Sequence, residues 1–134
     1  MSKKISRTRE REIALQVLYS LDIKKTLNLK SAKIELNKFR INNNLRDEKY
    51  YFEKLVLGVV DDIENIDKLI DTHAIDWKIS RMSYIDRNIL RISSYELQGD
   101  IPIAVSINEA VELGKKYGDT NTPRFINGIL ANLA

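Results

Sequence analysis

One stretch constrains the fold of this chain more than any other: the segment SYIDRNILRISSYEL at residues 83–97. Its isoleucines, Ile85, Ile89 and Ile92, recur at the i, i+4 and i+7 spacing of one helix face. Leucines within the segment widen that apolar stripe. The pattern therefore predicts a central helix that contacts neighbours on several sides, and hence an all-α domain.

The polar residues of this segment predict how the helix begins and what it presents. Ser83 precedes Asp86 by three positions, a spacing at which the two side chains satisfy free amides of a first helical turn. Further along, two adjacent serines are small enough for another helix to approach closely. The remaining exceptions leave one charged edge on the helix, made of Asp86, Arg87 and Arg91.

Composition agrees with one globular domain over residues 1–134. A chain of this length buries roughly two-thirds of its unfolded surface, and its two prolines and five glycines leave few breaks for a many-stranded β fold. No apolar run reaches the ~20 residues that span a bilayer, and the N-terminus lacks the apolar core of a signal peptide. We therefore expect no membrane partner. The absence of cysteine fits a reducing cytosol, so we expect a cytoplasmic protein.

The net charge of +3 is concentrated at one end of the chain. Residues 1–12, which include Lys3 and Lys4, carry five basic and two acidic side chains, whereas the two signs balance over the remaining residues. This distribution is typical of a basic arm that meets an anionic partner. A solvated terminus that charge keeps soluble explains the pattern equally well.

Helical spacing predicts six more helices besides the central one. They are expected from Ser6 or Thr8 to about Asp22, Leu29 to Arg40, Asp47 to Asp61, Glu64 to His73, from a capping box at Ser106 and Glu109 onward, and from Pro123 to Leu133 after an N-cap at Thr122. The inward face of the first is predicted at Ala14, Val17, Leu18 and Leu21.

Two single residues carry predictions about packing. Trp77, the only tryptophan, lies in the connector 74–82, where we expect it to fill the junction between two helical subdomains. Gly114 lies inside a predicted helix, where glycine lowers stability relative to alanine. We therefore expect a close helix contact at Gly114.

The first helix presents a candidate anion-binding surface. Arg9, Gln16 and Tyr19 share one stripe, and Arg7 and Arg11 lie one turn apart beside it. Free amides and the positive end of the helix dipole favour anions there, and guanidinium groups suit phosphate oxygens. An exposed tyrosine ring could stack on an unpaired base, but Tyr19 could equally complete the core face.

A second polar cluster lies far along the chain. Lys115, Lys116 and Tyr117 end one predicted helix, and Arg124, Phe125 and Asn127 begin the next. Beside the N-terminal arm they would form a basic platform with aromatics and amides for single-stranded nucleic acid. Alternatively, the lysines respond to the helix dipole and Phe125 packs in the core.

The sequence offers little for catalysis. It contains none of the glycine-rich phosphate-binding motifs, no nucleophile elbow and no cluster of metal ligands. His73 is the only histidine, and an ordinary position at a helix end explains it better than a metal or triad role. We therefore predict a protein that is not an enzyme and uses no cofactor and no metal.

An ordered set of motifs covers nearly the whole chain: ALQVLY at 14–19 after an arginine-rich start, DRNILRISSYEL at 86–97, IP at 101–102, INEAVEL at 107–113, KYG at 116–118 and FINGIL at 125–130. In this order the motifs resemble the NusB family of bacterial transcription antitermination factors. The resemblance implies about seven helices in two packed helical subdomains, roughly 1–76 and 77–134. It also implies binding to the boxA sequence of nascent ribosomal RNA leader transcripts.

Partners and site residues also follow from this resemblance. The implied partner is NusE, the small-subunit ribosomal protein S-ten, and the complex joins RNA polymerase and other Nus factors; a homodimer is compatible with the family. The residues carried over for RNA binding are Arg7, Arg9, Arg11, Gln16, Tyr19, Lys115, Arg124, Phe125 and Asn127. For the NusE contact they are Tyr84, Asp86, Arg87 and Arg91. The competing hypothesis is a protein-binding helical adaptor without sequence-specific RNA binding.

Overall fold

Seven α-helices make up most of the part of the chain that the structure describes. The computed structural model describes residues 4–47 and 49–134, so Lys3 of the basic arm and Glu48 lie outside the described residues. The helices are α1 (Arg7–Ile23), α2 (Leu29–Asn42), α3 (Tyr51–Asp61), α4 (Ile63–His73), α5 (Tyr84–Leu97), α6 (Ile103–Tyr117) and α7 (Thr122–Leu133), with a short 3-10 helix at Ile79–Arg81. No strand occurs in these described ranges, which confirms the predicted all-α class.

Helix α5 is the central element, as its apolar pattern predicts. Its N-cap is Ser83, whose hydroxyl accepts a hydrogen bond from the backbone N–H of Asp86 at 3.0 Å. The helix packs against α1, α3, α4, α6 and α7. At the small-residue position, the Ser93 hydroxyl lies 2.8 Å from that of Ser106, so α6 approaches α5 closely there.

The core joins the inward faces of these helices into one cluster. The predicted face of α1 is buried, with Ala14, Leu18 and Leu21 fully inaccessible to solvent. They meet α3, whose Phe52 is also inaccessible. Burying one such side chain contributes about 1.5–3 kcal/mol of transfer free energy. Because this cluster contains residues from both sides of residue 76, the division into two subdomains stays a prediction.

Four helix starts differ from the predicted ones, that of α4 by a single residue because it begins at Ile63. Helix α3 begins at Tyr51, because the Asp47 backbone is held in the preceding turn by the Tyr50 hydroxyl, which accepts its N–H at 3.0 Å. Helix α6 begins at Ile103, so Ser106 is not an N-cap but a buried residue inside the helix. Helix α7 has its N-cap at the residue before Thr122.

The junction at the connector between α4 and α5 is filled by residues other than the tryptophan. Trp77 is 52% exposed, so the prediction that it fills the junction is wrong. Ile79 and Met82 are buried there instead. Their position in and beside the 3-10 helix turns them inward, whereas Trp77 extends over the surface to Phe125.

The predicted close contact at Gly114 is confirmed. A Cβ atom at this position would lie 3.0 Å from Cγ2 of Thr122, tighter than ordinary van der Waals contact. Glycine thus lets the end of α6 pack directly on the start of α7. This packing sets where the polar residues at both helix ends lie.

Candidate nucleic-acid interface

One side of α1 is exposed and polar. Ser6 caps the helix by accepting the N–H of Arg9 at 3.1 Å. Arg9 and Gln16 are exposed, and Tyr19 is 37% exposed. Because these positions fall within about 80° of rotation on a helix of 3.6 residues per turn, they form one broad stripe, as predicted. We call this stripe the α1 face.

An ion-paired carboxylate connects the α1 face to the end of α6. Glu12 accepts hydrogen bonds from Arg9 at 3.1 Å and from Lys116 at 2.7 Å. Burial raises the pKa of Glu12, but the bonds from Lys116 and Arg9 outweigh it, so the pKa lies below its ordinary value. Glu12 therefore stays charged. Lys115 lines the same pocket as Glu12, and its side chain, which is 63% exposed, pairs with Glu112 at 3.2 Å.

Aromatic contacts connect the other end of the α1 face to the start of α5. The rings of Tyr19 and Tyr84 meet edge to face with centroids 6.0 Å apart. The Arg87 guanidinium covers the Tyr84 ring at 4.5 Å. Tyr19 therefore does not complete the core face but joins a surface cluster of two tyrosines and an arginine.

The start of α7 is held against the same end of α5. Thr122 donates a hydrogen bond from its hydroxyl to Asp86 at 2.8 Å. Beyond it, Arg124 and Asn127 are exposed, and the half-buried Phe125 packs edge to face on Trp77 at 6.3 Å. Through these contacts the second predicted cluster adjoins the first, around the starts of α5 and α7.

Arg11 does not belong to this surface. Its side chain is 4% exposed, and it donates to Glu96 at 2.9 Å and to Glu109 at 2.9 Å. Glu96 also accepts from Ser106 at 2.9 Å and from the hydroxyl of Tyr51. Burial and the bond to Glu96 raise the pKa of Tyr51, which stays protonated as a donor. The expectation of an exposed Arg11 is corrected: its charge ties α1 to α5 and α6.

Arg7 lies on yet another side of the molecule. Its guanidinium stacks on the ring of Tyr51 at 3.9 Å. Arg7 and Arg9 differ in rotation by about 200° around α1, since each residue turns the helix by about 100°. The arginine-rich start of the chain thus faces two directions rather than forming one platform.

The predicted charged edge of α5 is largely an internal ion network. Asp22 of α1 accepts hydrogen bonds from Arg87 at 2.7 Å and from Arg91 at 3.0 Å, and Arg91 also donates to Asp67 of α4 at 2.8 Å. Arg91 is 4% exposed. The expectation of an exposed charged edge is therefore corrected: Arg91 is buried, and Asp86 and Arg87 are half-buried and paired. Of the four predicted NusE-contact residues, Tyr84 alone counts as exposed, at 37%.

The sequence patterns assigned neither Glu12 nor Trp77 to this surface, and they placed Lys116 in the second cluster without its pairing to Glu12. Glu12 joins two cations across it, Lys116 supplies one of them, and Trp77 extends it beside Phe125. Charge alternation in residues 9–12 could have indicated a pairing carboxylate, but its distant partner Lys116 could not be found from spacing.

The described residues contain neither a candidate metal site nor a candidate membrane span. Among residues 4–47 and 49–134, no group of three or more side chains of the metal-ligating types could hold a metal ion. None of the helices in that part of the chain has both the length and the apolar character needed to cross a membrane.

Fold and surface together define a class: an all-helical protein with exposed cations, amides and aromatic rings on adjoining helix ends, features used to bind single-stranded nucleic acid. The family model "NusB family" matches residues 8–134. A transcription antitermination protein NusB of Halothermothrix orenii is 49% identical over 128 residues, covering 96% of each chain. The chain belongs to the NusB family.

Solved structures agree with this membership. NusB of T. maritima superposes with a TM-score of 0.79 at 31% identity, covering 98% of this chain and 92% of that one. A structure of the antitermination factors NusB and NusE in complex with double-stranded RNA superposes with a TM-score of 0.78 at 29% identity, covering 96% of this chain and 97% of that one.

Proposed function

We propose that this protein binds the boxA sequence of nascent ribosomal RNA leader transcripts together with NusE, and thereby helps RNA polymerase to read through terminators. The observation that carries the proposal is the continuous surface from the α1 face to the starts of α5 and α7. It combines cations, amides and aromatic rings within one folded unit. The relatives are antitermination proteins, which supports the same role.

The exposed cations would bind the phosphate backbone. Arg9, Lys115 and Arg124 all extend into solvent from this surface, and each phosphate they neutralise releases a counterion. Glu12 offsets part of the charge of Arg9 and Lys116. RNA binding without a partner is therefore expected to be modest and to weaken steeply with salt.

The aromatic and amide side chains would read the bases. Tyr19 and Phe125 supply ring faces and edges for unpaired bases, and stacking contributes about 1–3 kcal/mol per base. Gln16 and Asn127 are exposed amides that can donate to and accept from base edges. Preference for boxA over other sequences would come from these amides.

Two arginines of the predicted set receive different roles. Arg11 is a positioning residue, because its buried ion pairs hold the start of α1 against α5 and α6. Arg7 lies on the opposite side of the helix start, where it would meet RNA only beyond the α1 face.

For the NusE contact we propose Tyr84 with Arg87 as the touching pair, because Tyr84 is exposed and Arg87 covers its ring. A solved NusB complex with NusE and RNA supports the choice of partner. Asp86 and Arg91 would act by fixing the start of α5. Polymerase and other Nus factors would join through this complex, in the cytoplasm. A homodimer that covers the α1 face would compete with RNA. This role needs no catalytic step and no cofactor.

Fluorescence anisotropy tests the proposal. Labelled boxA RNA and a scrambled RNA of equal length are titrated with the protein, alone and with NusE. We expect preference for boxA that NusE strengthens. Equal weak binding of both RNAs, despite a formed complex with NusE, would favour the helical adaptor and reject the RNA site.

Two arginine variants separate contact from positioning. Arg9→Ala should lower boxA affinity about tenfold or less with little change in stability, because Arg9 is exposed. Arg11→Ala should instead lower the free energy of unfolding by about 3–5 kcal/mol, because it leaves Glu96 buried without its cation. Urea unfolding and anisotropy are measured on both variants. The roles are contradicted if Arg9→Ala lowers stability by this amount and Arg11→Ala leaves it unchanged.

A further inference from the structure

A cleft of about 750 Å³ lies on the other side of the α1 start, against α2 and α3. Its cations and rings are Arg7, Arg40, Lys49, Tyr50, Tyr51 and Lys54. None of the residues that the family resemblance assigns to RNA binding lies in it except Arg7. We call it the α1–α3 cleft.

Two arginines of the cleft are held in fixed orientations by tyrosines. The Arg7 guanidinium covers the Tyr51 ring at 3.9 Å, and that of Arg40 lies 5.3 Å from the centre of the Tyr50 ring. Tyr51 is itself anchored through its hydroxyl to the buried Glu96. Stacking leaves the edge donors of Arg7 available for oxygen acceptors and reduces the freedom lost on binding. Arg40 already donates to the backbone carbonyl of Asp47 and faces Glu53, so only its remaining donors could meet a ligand.

The charge of the α1–α3 cleft is strongly positive. Four cations line it against one carboxylate, Glu53, which Arg40 approaches at 3.5 Å. Burial raises the pKa of Glu53 despite the charge of Arg40. Lys49 and Lys54 are exposed and form no ion pair with any described residue. Two exposed lysines beside two stacked arginines match a chain of phosphates better than a single small anion.

Arg7 connects this cleft to the α1 face. It comes two residues before Arg9, and the two side chains leave the helix start in nearly opposite directions. A strand that passes over the start of α1 would reach both. An acidic peptide would also meet the charges, but the continuity with a proposed nucleic-acid surface and the two tyrosine rings favour RNA.

We propose that the α1–α3 cleft binds the phosphodiester backbone of RNA flanking the boxA element, so that the transcript wraps around the start of α1. The inference rests on the proposed function, which it extends to nucleotides outside the recognition sequence. Arg7 and Arg40 would hold phosphates at fixed points, and Lys49 and Lys54 would follow the strand as it leaves.

The test compares matched lysine variants on two RNAs. Lys49→Ala/Lys54→Ala removes two charges from the cleft, whereas Lys30→Ala/Lys68→Ala removes two exposed charges elsewhere on the surface. Each is titrated with a boxA oligonucleotide and with the same element extended by oligouridine at both ends, over a range of salt concentrations. Thermal unfolding confirms that both variants fold.

With extended RNA, log affinity falls as log salt rises, and the cleft variant should make this fall less steep by about 1.4. Each of the two lost phosphate contacts on a single strand accounts for about 0.7. It should also lose the affinity gained on extension, while the control variant keeps it. A 4-thiouridine placed in the extension should crosslink to the peptide that contains Tyr50 and Tyr51.

The outcomes separate this inference from the proposed function. Equal slopes for the two variants, with crosslinks outside the cleft, would overturn the cleft site while boxA preference stands. If the unmodified protein shows no preference for boxA, but Lys49→Ala/Lys54→Ala still weakens binding of the extended RNA, the cleft is supported and sequence-specific recognition is overturned.

Discussion

At the scale of single residues, the protein uses buried charges to join helices that are distant in sequence. Asp22 of α1 is 5% exposed and receives hydrogen bonds from Arg87, Asn88 and Arg91 of α5. Burial raises its pKa, but these donors, Arg87 first, outweigh burial and hold the pKa below its ordinary value. Because these donors all bind the charged form, the network stabilises the fold only while Asp22 is ionised.

Asp22 predicts a specific dependence of stability on acidity. Since the folded pKa is below the unfolded value of about 3.8, the stabilisation is complete above that pH and is lost as pH falls through the folded pKa. Asp22→Asn should lower the free energy of unfolding by about 3 kcal/mol at neutral pH. The difference from the unmodified protein should shrink in acid.

Urea unfolding from neutral pH down to about pH 2 measures this effect, because the stabilisation is lost only below pH 3.8. The matched control is Asp61→Asn, which removes the same charge from an exposed position at the end of α3. The interpretation fails if Asp22→Asn and Asp61→Asn shift stability by the same amount at every pH.

At the scale of elements, glycines set the closest helix contacts. A Cβ atom at Gly58 of α3 would lie 2.3 Å from ring carbons of Tyr95 on α5. The corresponding atom at Gly128 of α7 would meet nothing within 4 Å. The two positions therefore separate steric packing from intrinsic helix propensity within one protein.

The glycine pair predicts changes of opposite sign. Gly58→Ala should lower stability by about 1–2 kcal/mol, because overpacking costs more than the ~1 kcal/mol that alanine gains in a helix. Gly128→Ala should raise stability by up to about 1 kcal/mol, because it gains propensity without a clash. Thermal unfolding of both variants is the measurement, and a stabilised Gly58→Ala would mean that the ring of Tyr95 moves aside at little cost.

At the scale of the whole molecule, one core and two ion networks connect the two predicted subdomains. The Asp22 network joins α1 and α4 to α5, and the Arg11 network joins α1 to α5 and α6. Neither half of the chain contains all members of either network. The proposed interface depends on both, because they set where the α1 face meets the starts of α5 and α7.

This connectivity predicts one cooperative unfolding transition. Far-ultraviolet circular dichroism reports all seven helices, and the fluorescence of Trp77 reports the contact of the connector with Phe125 on α7. We expect the two signals to change with the same midpoint in urea. Separate midpoints would indicate that residues 1–76 and 77–134 unfold as independent units.

The amino-acid sequence by itself determined the helices and much of the core. Helical periodicity located α5 and the buried face of α1, Ser83 marked a cap, and Gly114 marked a close contact. These features depend on interactions within a few residues or on the burial of apolar side chains. Such interactions are encoded locally, so spacing is enough to find them.

Only the tertiary structure decided which charged side chains face solvent. Arg9 and Arg11 are two positions apart, yet Arg9 stays exposed and Arg11 is buried against Glu96. The exposure of Trp77 and the burial of Arg91 also escaped prediction. The physical reason is that a charge can be buried only where an opposite charge meets it, and the partners of Arg11 are 85 and 98 residues away. That meeting is set by helix packing, which periodicity does not specify.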